Sequence, residues 1–229
     1  MMPVIVLCGG RGERLRPVLG ERPKVLAPVH NVAFLSYVIE RLLREEVDQI
    51  VLSTGYKAPM VAEYVEAHPE WADVVRCIAE PEALGTGGGL AFAARSVGLD
   101  GEFFALNGDT WFDGALAELE LQHRRSGAVG TLSLTAVQNS TRYGRVEVDE
   151  ADGRVLRLVE KSGAGGAAWI NAGQYLLHTS MFKLKGAFSL EHDILPRYIG
   201  KGLFAKIYTH ASFLDIGTPE DYARAEELL

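Results

Sequence analysis

Between Arg11 and Lys24 stand five basic residues, Arg11, Arg14, Arg16, Arg22 and Lys24, against two acids, Glu13 and Glu21. They belong to LCGGRGERLRPVLGERPK, residues 7–24, where a short apolar run opens into glycines. Glycines let backbone N–H groups approach an anion closely, and arginine and lysine beside them suit a small, highly charged ligand. A second glycine stretch, LGTGGGL at residues 84–90, repeats the arrangement. Two aspartates follow apolar runs: Asp109 in FFALNGDTWFD and Asp215 in FLDIGTPEDY. A carboxylate at a strand tip beside phosphate-binding loops is a setting for a divalent cation, because Mg²⁺ needs only one or two carboxylates when phosphate oxygens and waters complete its shell. Singly, each loop is equally a tight turn and each aspartate a turn residue beside Gly108 or Gly217. Together they point to a nucleotide-phosphate site with a metal.

Neither loop is a dinucleotide fingerprint. G-x-G-x-x-G counted from Gly10 meets Leu15 at its last position, and counted from Gly85 it meets Leu90; a Walker A lysine is missing as well. A nicotinamide-dependent oxidoreductase is therefore disfavoured. The six histidines show no metal-ligand spacing, and Cys8 and Cys77 match no metal or redox motif, so they read as reduced thiols.

These loops need strands to present them. Val4–Leu7, Ile50–Thr54, Val74–Ala79 and Phe103–Leu106 have the apolar character of buried strands, while Phe34–Leu43, Val61–Ala67 and Leu90–Val97 have helical spacing. Strictly alternating strands and helices predict βαβ crossovers, and so a Rossmann-like three-layer α/β/α fold on a mostly parallel, mixed sheet. After a polar helix at Ala115–Ser126 the chain is richer in strands, at Val129–Ala136, Val146–Val148, Leu156–Val159 and Trp169–Leu177, with Asp152-Gly153 as a hairpin turn. KSGAGGAAW, residues 161–169, reads as a loop, and the chain closes with a strand at Phe213–Ile216 and a helix from Pro219 to Leu229. Asp113 is a candidate cap for the polar helix that follows it, at Ala115–Ser126. A single domain is expected over residues 1–229, with a nucleotide-binding part to about 112 and a second part from about 113. Both glycine loops then fall at the carboxyl edge of the sheet, where open α/β sheets bind ligands.

Bulk composition narrows the partners. A net charge of -7 on 229 residues disfavours nucleic acid and anionic membranes. The apolar run at the N-terminus is short for a signal-peptide core, and a cytoplasmic monomer or homodimer acting on small molecules is the expectation.

The ordered set GGRGERLRP, RPKVLAPV, LGTGG, NGD, EK, NAG and DIGTPEDY spans nearly the whole chain and resembles the sugar-1-phosphate nucleotidyltransferases. That resemblance implies a nucleotide-diphospho-sugar transferase fold and a reaction in which a sugar 1-phosphate attacks the α-phosphate of a nucleoside triphosphate. The nucleophile is already an anion, so no general base is required. Charge neutralisation and alignment are what the reaction needs. By the family's motifs, Arg14 and Lys24 are the catalytic cations, Asp109 and Asp215 hold Mg²⁺, and Leu7, Gly9, Gly10, Arg11, Gly12 and the segment Gly85, Thr86, Gly87, Gly88 wall the nucleotide. Gly144, Glu160, Lys161, Asn171 and Gly173 fall on the sugar-phosphate positions. Glu13 departs from the threonine or serine more usual there. Within the family, LNGDTWFD, STRYG, INAGQYLL and FSLEHDILP look most like D-glycero-α-D-manno-heptose 1-phosphate guanylyltransferases, with N-acetylmuramate 1-phosphate uridylyltransferases and mannose 1-phosphate guanylyltransferases as alternatives. Glu80 is the candidate acceptor for the N1–H and 2-amino groups of guanine. A non-catalytic nucleotide-sugar-binding relative is the contrasting possibility. Asp109→Asn separates the two: an enzyme loses pyrophosphate release with little change in fold, whereas a binding module shows no Mg²⁺-dependent turnover even as wild type.

Overall fold

Apolar runs that end in glycine or a charged residue set the order of elements in the computed structural model, which describes residues 2–160 and 165–229. The chain begins with β1 (Val4–Cys8), the one-turn helix α1 (Arg16–Leu19), the small hairpin β2 (Pro28–Val29) and β3 (Val32–Ala33), and α2 (Phe34–Arg44). Then come β4 (Ile50–Thr54), α3 (Ala58–Glu66), β5 (Val75–Ala79), α4 (Gly85–Ser96) and β6 (Glu102–Asn107). The second half runs β7 (Thr110–Phe112), α5 (Leu116–Ser126), β8 (Gly130–Val137), β9 (Arg145–Asp149), β10 (Arg154–Val159), β11 (Ala168–His178), β12 (Leu203–Tyr208), β13 (Phe213–Asp215) and α6 (Pro219–Leu228).

Nine strands form one mixed sheet in the order β5-β4-β1-β6-β11-β8-β12-β10-β9, and β9 also reaches back to β11. The first four are mutually parallel. β11 then runs antiparallel to both β6 and β8, while β12 is parallel to β8. Period-2 alternation sends successive side chains to opposite faces: Val4 and Val6 join the core under α2, α3 and α5, whereas Ile5 joins the core under α4. Both faces are thus covered by helices, giving the three layers that the alternation of the sequence requires.

Three elements differ from their sequence expectation. α4 begins at Gly85, not Leu90. Gly-Thr-Gly-Gly-Gly is a poor helix former, and the turn forms because the N–H groups of Gly87 and Gly88 both donate to the Phe188 carbonyl, at 3.0 and 3.1 Å. β12, with Lys206 inside it, pairs along its length with β8. β7 is three residues long and exists by pairing with β13.

Asp113 does not cap α5. Its Oδ1 accepts the Ser212 N–H at 2.6 Å, and the N-terminus of α5 is satisfied instead by Glu45, whose Oε2 accepts the Leu116 N–H at 2.6 Å. Glu45 also pairs with buried Arg41, which donates to the Gly114 carbonyl at 2.7 Å and to Gln174 Oε1 at 2.9 Å. One buried polar network therefore ties α2, the turn before α5 and β11 together. Buried polar atoms left unpaired cost more than the bonds contribute, so the register of these elements is fixed jointly.

His123 of α5 is buried, with Nδ1 2.8 Å from Thr131 Oγ and Nε2 3.4 Å from Glu102. Burial lowers its pKa below the ordinary histidine value, although Glu102 opposes the shift. The unfolded chain therefore takes up this proton first as pH falls. Stability is fully present above about 6.5 and decreases below it, by at most about 1.4 kcal/mol per pH unit for one proton. We expect the melting temperature to fall between pH 7.5 and 5.5 in thermal scans, and His123→Gln to flatten that fall.

Candidate functional site

The carboxyl ends of the four parallel strands converge on one cavity of about 620 Å³. β1 contributes Leu7 and the loop Gly9, Gly10, Arg11; β4 contributes Gly55 and Tyr56; β5 contributes the turn Glu80–Ala83; α4 begins with Gly85 and Thr86; β6 ends at Asn107, two residues before Asp109. Seven of the expected nucleotide residues line it: Leu7, Gly9, Gly10, Arg11, Glu80, Gly85 and Thr86.

Glu80 is not merely solvated. Ser53 Oγ donates to its Oε1 at 2.9 Å and the Leu84 N–H donates to Oε2 at 3.2 Å, so the carboxylate is held in the cavity wall. A Cβ on Gly89 would lie 2.7 Å from that Oε1, which explains glycine inside the helix there. Gly85 has φ +71°, and a Cβ on it would lie 2.7 Å from the Phe188 carbonyl oxygen. The strand-to-helix turn at the cavity floor thus excludes any side chain.

Three expected nucleotide contacts lie elsewhere. Gly87 and Gly88 do not line the cavity: their N–H groups are taken by Phe188, and side chains there would strike the Phe188 ring and the Gly186 carbonyl. Gly12, at φ +61°, packs against Lys24, where a Cβ would sit 3.0 Å from the lysine Cβ. It stands against the lysine stem. Glu13 is exposed at the start of the single turn Glu13–Leu15, outside the cavity lining. Arg16 is not a free solvated residue: it pairs with Glu21, which also accepts the Tyr56 hydroxyl at 2.9 Å, so this cluster clasps the loop after β1 to the turn after β4.

Lys24 and the two aspartates meet. Lys24 Nζ donates to Asp109 Oδ2 at 2.7 Å and to Asp215 Oδ1 at 3.1 Å. Pro23 sets the approach of the chain, and one 3₁₀ turn, Lys24–Leu26, buries the lysine stem. The pairing of β7 with β13 places Asp215 opposite Thr110, next to Asp109, and the Ile216 N–H donates to the Asp109 carbonyl at 3.1 Å. Burial opposes the ammonium charge, but Asp109 and Asp215 more than offset it and raise the lysine above its ordinary pKa. Arg14 is exposed, with its guanidinium beside Asp215: a Cβ on Gly217 would lie 3.1 Å from Arg14 and 3.0 Å from Asp215.

A second cavity, also about 620 Å³, lies between the β9–β10 hairpin, β11 and a π-helical turn at Leu190–Ile194. Gly144, Glu160 and Asn171 line it as expected, with Tyr143, Arg145, Glu191, His192 and Leu195. His192 Nδ1 lies 3.2 Å from Glu160 Oε1 across its mouth. Lys161 falls outside the described residues. Gly173 does not line the cavity: at φ +72° it forms an irregularity in β11, and a Cβ on it would lie 2.6 Å from Asn107 Nδ2. It lets β11 pass close to the end of β6.

The sequence reasoning missed Tyr56, Asn107, Glu191 and His192. Tyr56 and Asn107 carried a usable signal, since Tyr56 lies two residues past the end of β4 and Asn107 ends β6, both at the carboxyl edge.

A nucleotide-sized cavity at the carboxyl edge of a parallel sheet, with cations and carboxylates at its rim, defines a nucleotide-handling α/β domain. The chain belongs to the nucleotidyl transferase family, whose model matches residues 3–229, and it is a nucleotidyltransferase enzyme. It is 36% identical over 231 residues, covering 100% of this chain and 98% of the relative, to D-glycero-α-D-manno-heptose 1-phosphate guanylyltransferase of Aneurinibacillus thermoaerophilus. It is 31% identical to the mannose-1-phosphate guanylyltransferase catalytic subunit beta of Dictyostelium discoideum, covering 96% of this chain but 62% of that protein. Among solved structures, HddC from Yersinia pseudotuberculosis complexed with GMP-PN superposes with a TM-score of 0.86 at 33% identity, covering 100% of this chain and 99% of HddC. Among the described residues no helix is long and apolar enough to cross a membrane.

Among the described residues, Lys24 is the cation that pairs with both aspartates, and replacing it removes that shared charge. Lys24→Met is expected to lower turnover by about 10²–10³-fold, the scale of losing one preorganised charge stabiliser. Steady-state pyrophosphate release, with circular dichroism as the check on folding, measures it.

Proposed function

We propose that the protein transfers guanylyl from GTP to D-glycero-α-D-manno-heptose 1-phosphate, releasing pyrophosphate and forming GDP-heptose. The observation that carries the proposal is the pair of adjoining cavities, one at the nucleotide edge and one beyond β11, which share a wall where Thr86 of the first donates to Glu191 of the second at 2.7 Å. The heptose relative supports this sugar because its similarity extends over the full length of both chains.

GTP would lie with guanine against Glu80, each of whose carboxylate oxygens keeps a lone pair beyond the one used by Ser53 or Leu84. Gly9, Gly10 and Arg11 would follow the phosphates. The sugar phosphate would enter from the cavity of Gly144, Glu160 and Asn171, with Lys161 nearby in sequence. Its phosphate oxygen attacks the α-phosphorus, the bond to the β-phosphate oxygen breaks, and pyrophosphate leaves. Since the attacking oxygen carries its charge already, the protein's work is alignment and neutralisation, assigned here to Arg14 and Lys24.

The donor set fits Mg²⁺: two carboxylates converge on one point, and with Lys24 between them the cluster keeps a net negative charge. Asp109 and Asp215 would hold the ion. When bound, it supplies Lewis-acid neutralisation of phosphate oxygens. Lys24, fully protonated because of its carboxylate neighbours, is the cation that the incoming phosphates compete for.

A screen of GTP, UTP, dTTP, CTP and ATP against heptose, mannose, glucose and N-acetylmuramate 1-phosphates, with and without Mg²⁺, tests this. GTP with the heptose phosphate should release pyrophosphate fastest, and only with the metal. Exclusive use of UTP would remove the guanylyl assignment, and silence from every pair would remove the transferase activity itself.

A further inference from the structure

The wall between the two cavities is a hydrogen-bonded chain that ends on one carboxylate. Thr86 Oγ, in the nucleotide cavity, donates to Glu191 Oε2 at 2.7 Å, and Ser189 Oγ donates to the same oxygen at 3.0 Å. From the other side, Asn171 Nδ2, in the sugar cavity, donates to the Tyr175 hydroxyl at 2.7 Å, and that hydroxyl donates to Glu191 Oε1 at 3.2 Å. The Leu190 N–H donates to Thr86 Oγ at 2.8 Å, and the Gly173 N–H donates to Asn171 Oδ1 at 3.0 Å.

Three properties set this chain apart from ordinary packing. Its hydroxyls all point one way, toward a carboxylate that only accepts, so no member reverses without breaking a bond. Its central member, Tyr175, is 1% exposed, and a buried hydroxyl bond is not exchanged for one to water. The two end members, Thr86 and Asn171, each face a different substrate cavity.

We propose that Glu191 is a positioning residue that couples the two substrate sites: Thr86 at the start of α4 and Asn171 on β11 are held in register through it, so filling one cavity raises affinity for the occupant of the other. The carboxylate has room for about four donors and three places are taken, leaving one on Oε1 of a residue that lines the sugar cavity. A sugar hydroxyl seated there tightens the same chain that fixes Thr86. This inference rests on the two-substrate reading above.

The coupling factor is measured by calorimetry on the whole protein: affinity for the α,β-methylene analogue of GTP without sugar phosphate and with saturating D-glycero-α-D-manno-heptose 1-phosphate. If the screen above selects another nucleotide and sugar phosphate, that pair replaces these probes, so a wrong substrate assignment is exposed by the screen and leaves this measurement standing. Wild type should show a factor of about five or more, the lower end of typical site-to-site coupling. Tyr175→Phe, which removes one oxygen and keeps the ring in the core, should bring the factor close to one while each ligand still binds alone; Glu191→Ala should also bring the factor close to one, together with weaker binding of the sugar phosphate. A merely structural role would lower melting temperature or both affinities and leave the ratio intact. A wild-type factor near one, or a Tyr175→Phe factor equal to wild type, overturns the proposal.

Discussion

The Lys24 ammonium between Asp109 and Asp215 is the constraint on which the site depends. The three residues come from the turn after α1, the turn between β6 and β7 and the end of β13, and two carboxylates that close would repel each other without a cation between them. Lysine is suited to this: its compact ammonium donates to both at once from a flexible stem that the 3₁₀ turn buries. Gly12 leaves room for that stem, Pro23 sets its direction, and the β7–β13 ribbon exists to bring Asp215 alongside Asp109. Several features that look unrelated in the sequence are thus conditions for one three-body contact.

The sheet divides the work of the molecule. Four parallel strands deliver their carboxyl-end loops to one edge, which is how a doubly wound sheet builds a nucleotide cavity. β11 reverses that direction and belongs to both halves, pairing with β6 on one side and with β8 and β9 on the other. Its irregularity at Gly173 allows it to pass Asn107 closely, and the residues on either side of that point, Asn171 and Tyr175, connect the second cavity to the first. The buried Arg41–Gln174–Gly114 network fixes the same strand from below.

Much of this was legible in the chain because its causes are local. Strand-helix alternation implied the layers, and glycines after apolar runs implied loops at one edge; Leu7, Gly9, Gly10, Arg11, Glu80, Gly85 and Thr86 do line one cavity. What was not legible has non-local causes. Gly87 and Gly88 read as part of the nucleotide wall, yet Phe188, a hundred residues later, takes their N–H groups. β7 has too few residues to announce itself and forms by tertiary pairing. The ion pairs of Lys24 span 85 and 191 positions, a distance over which residue type suggests a role but not a partner. Glu191 is an ordinary residue in sequence and acquires meaning from what stands across the cavity.

Local and global charge also come into agreement. A protein of net charge -7 that must bring two polyanions together needs its positive charge concentrated and its carboxylates occupied. Arg11 faces the nucleotide cavity, Arg14 stands by Asp215, and Lys24 holds both aspartates. The two aspartates thus share one ammonium, and the cluster of the three keeps a net negative charge. Elsewhere in the same loop the pairing is structural: Arg16 with Glu21, and Glu21 with Tyr56. The cationic stretch at residues 11–24 thus holds charges with different partners: Arg16 pairs with Glu21 and clasps the loop to its neighbour, while Arg11 lines the cavity and Lys24 holds the two aspartates.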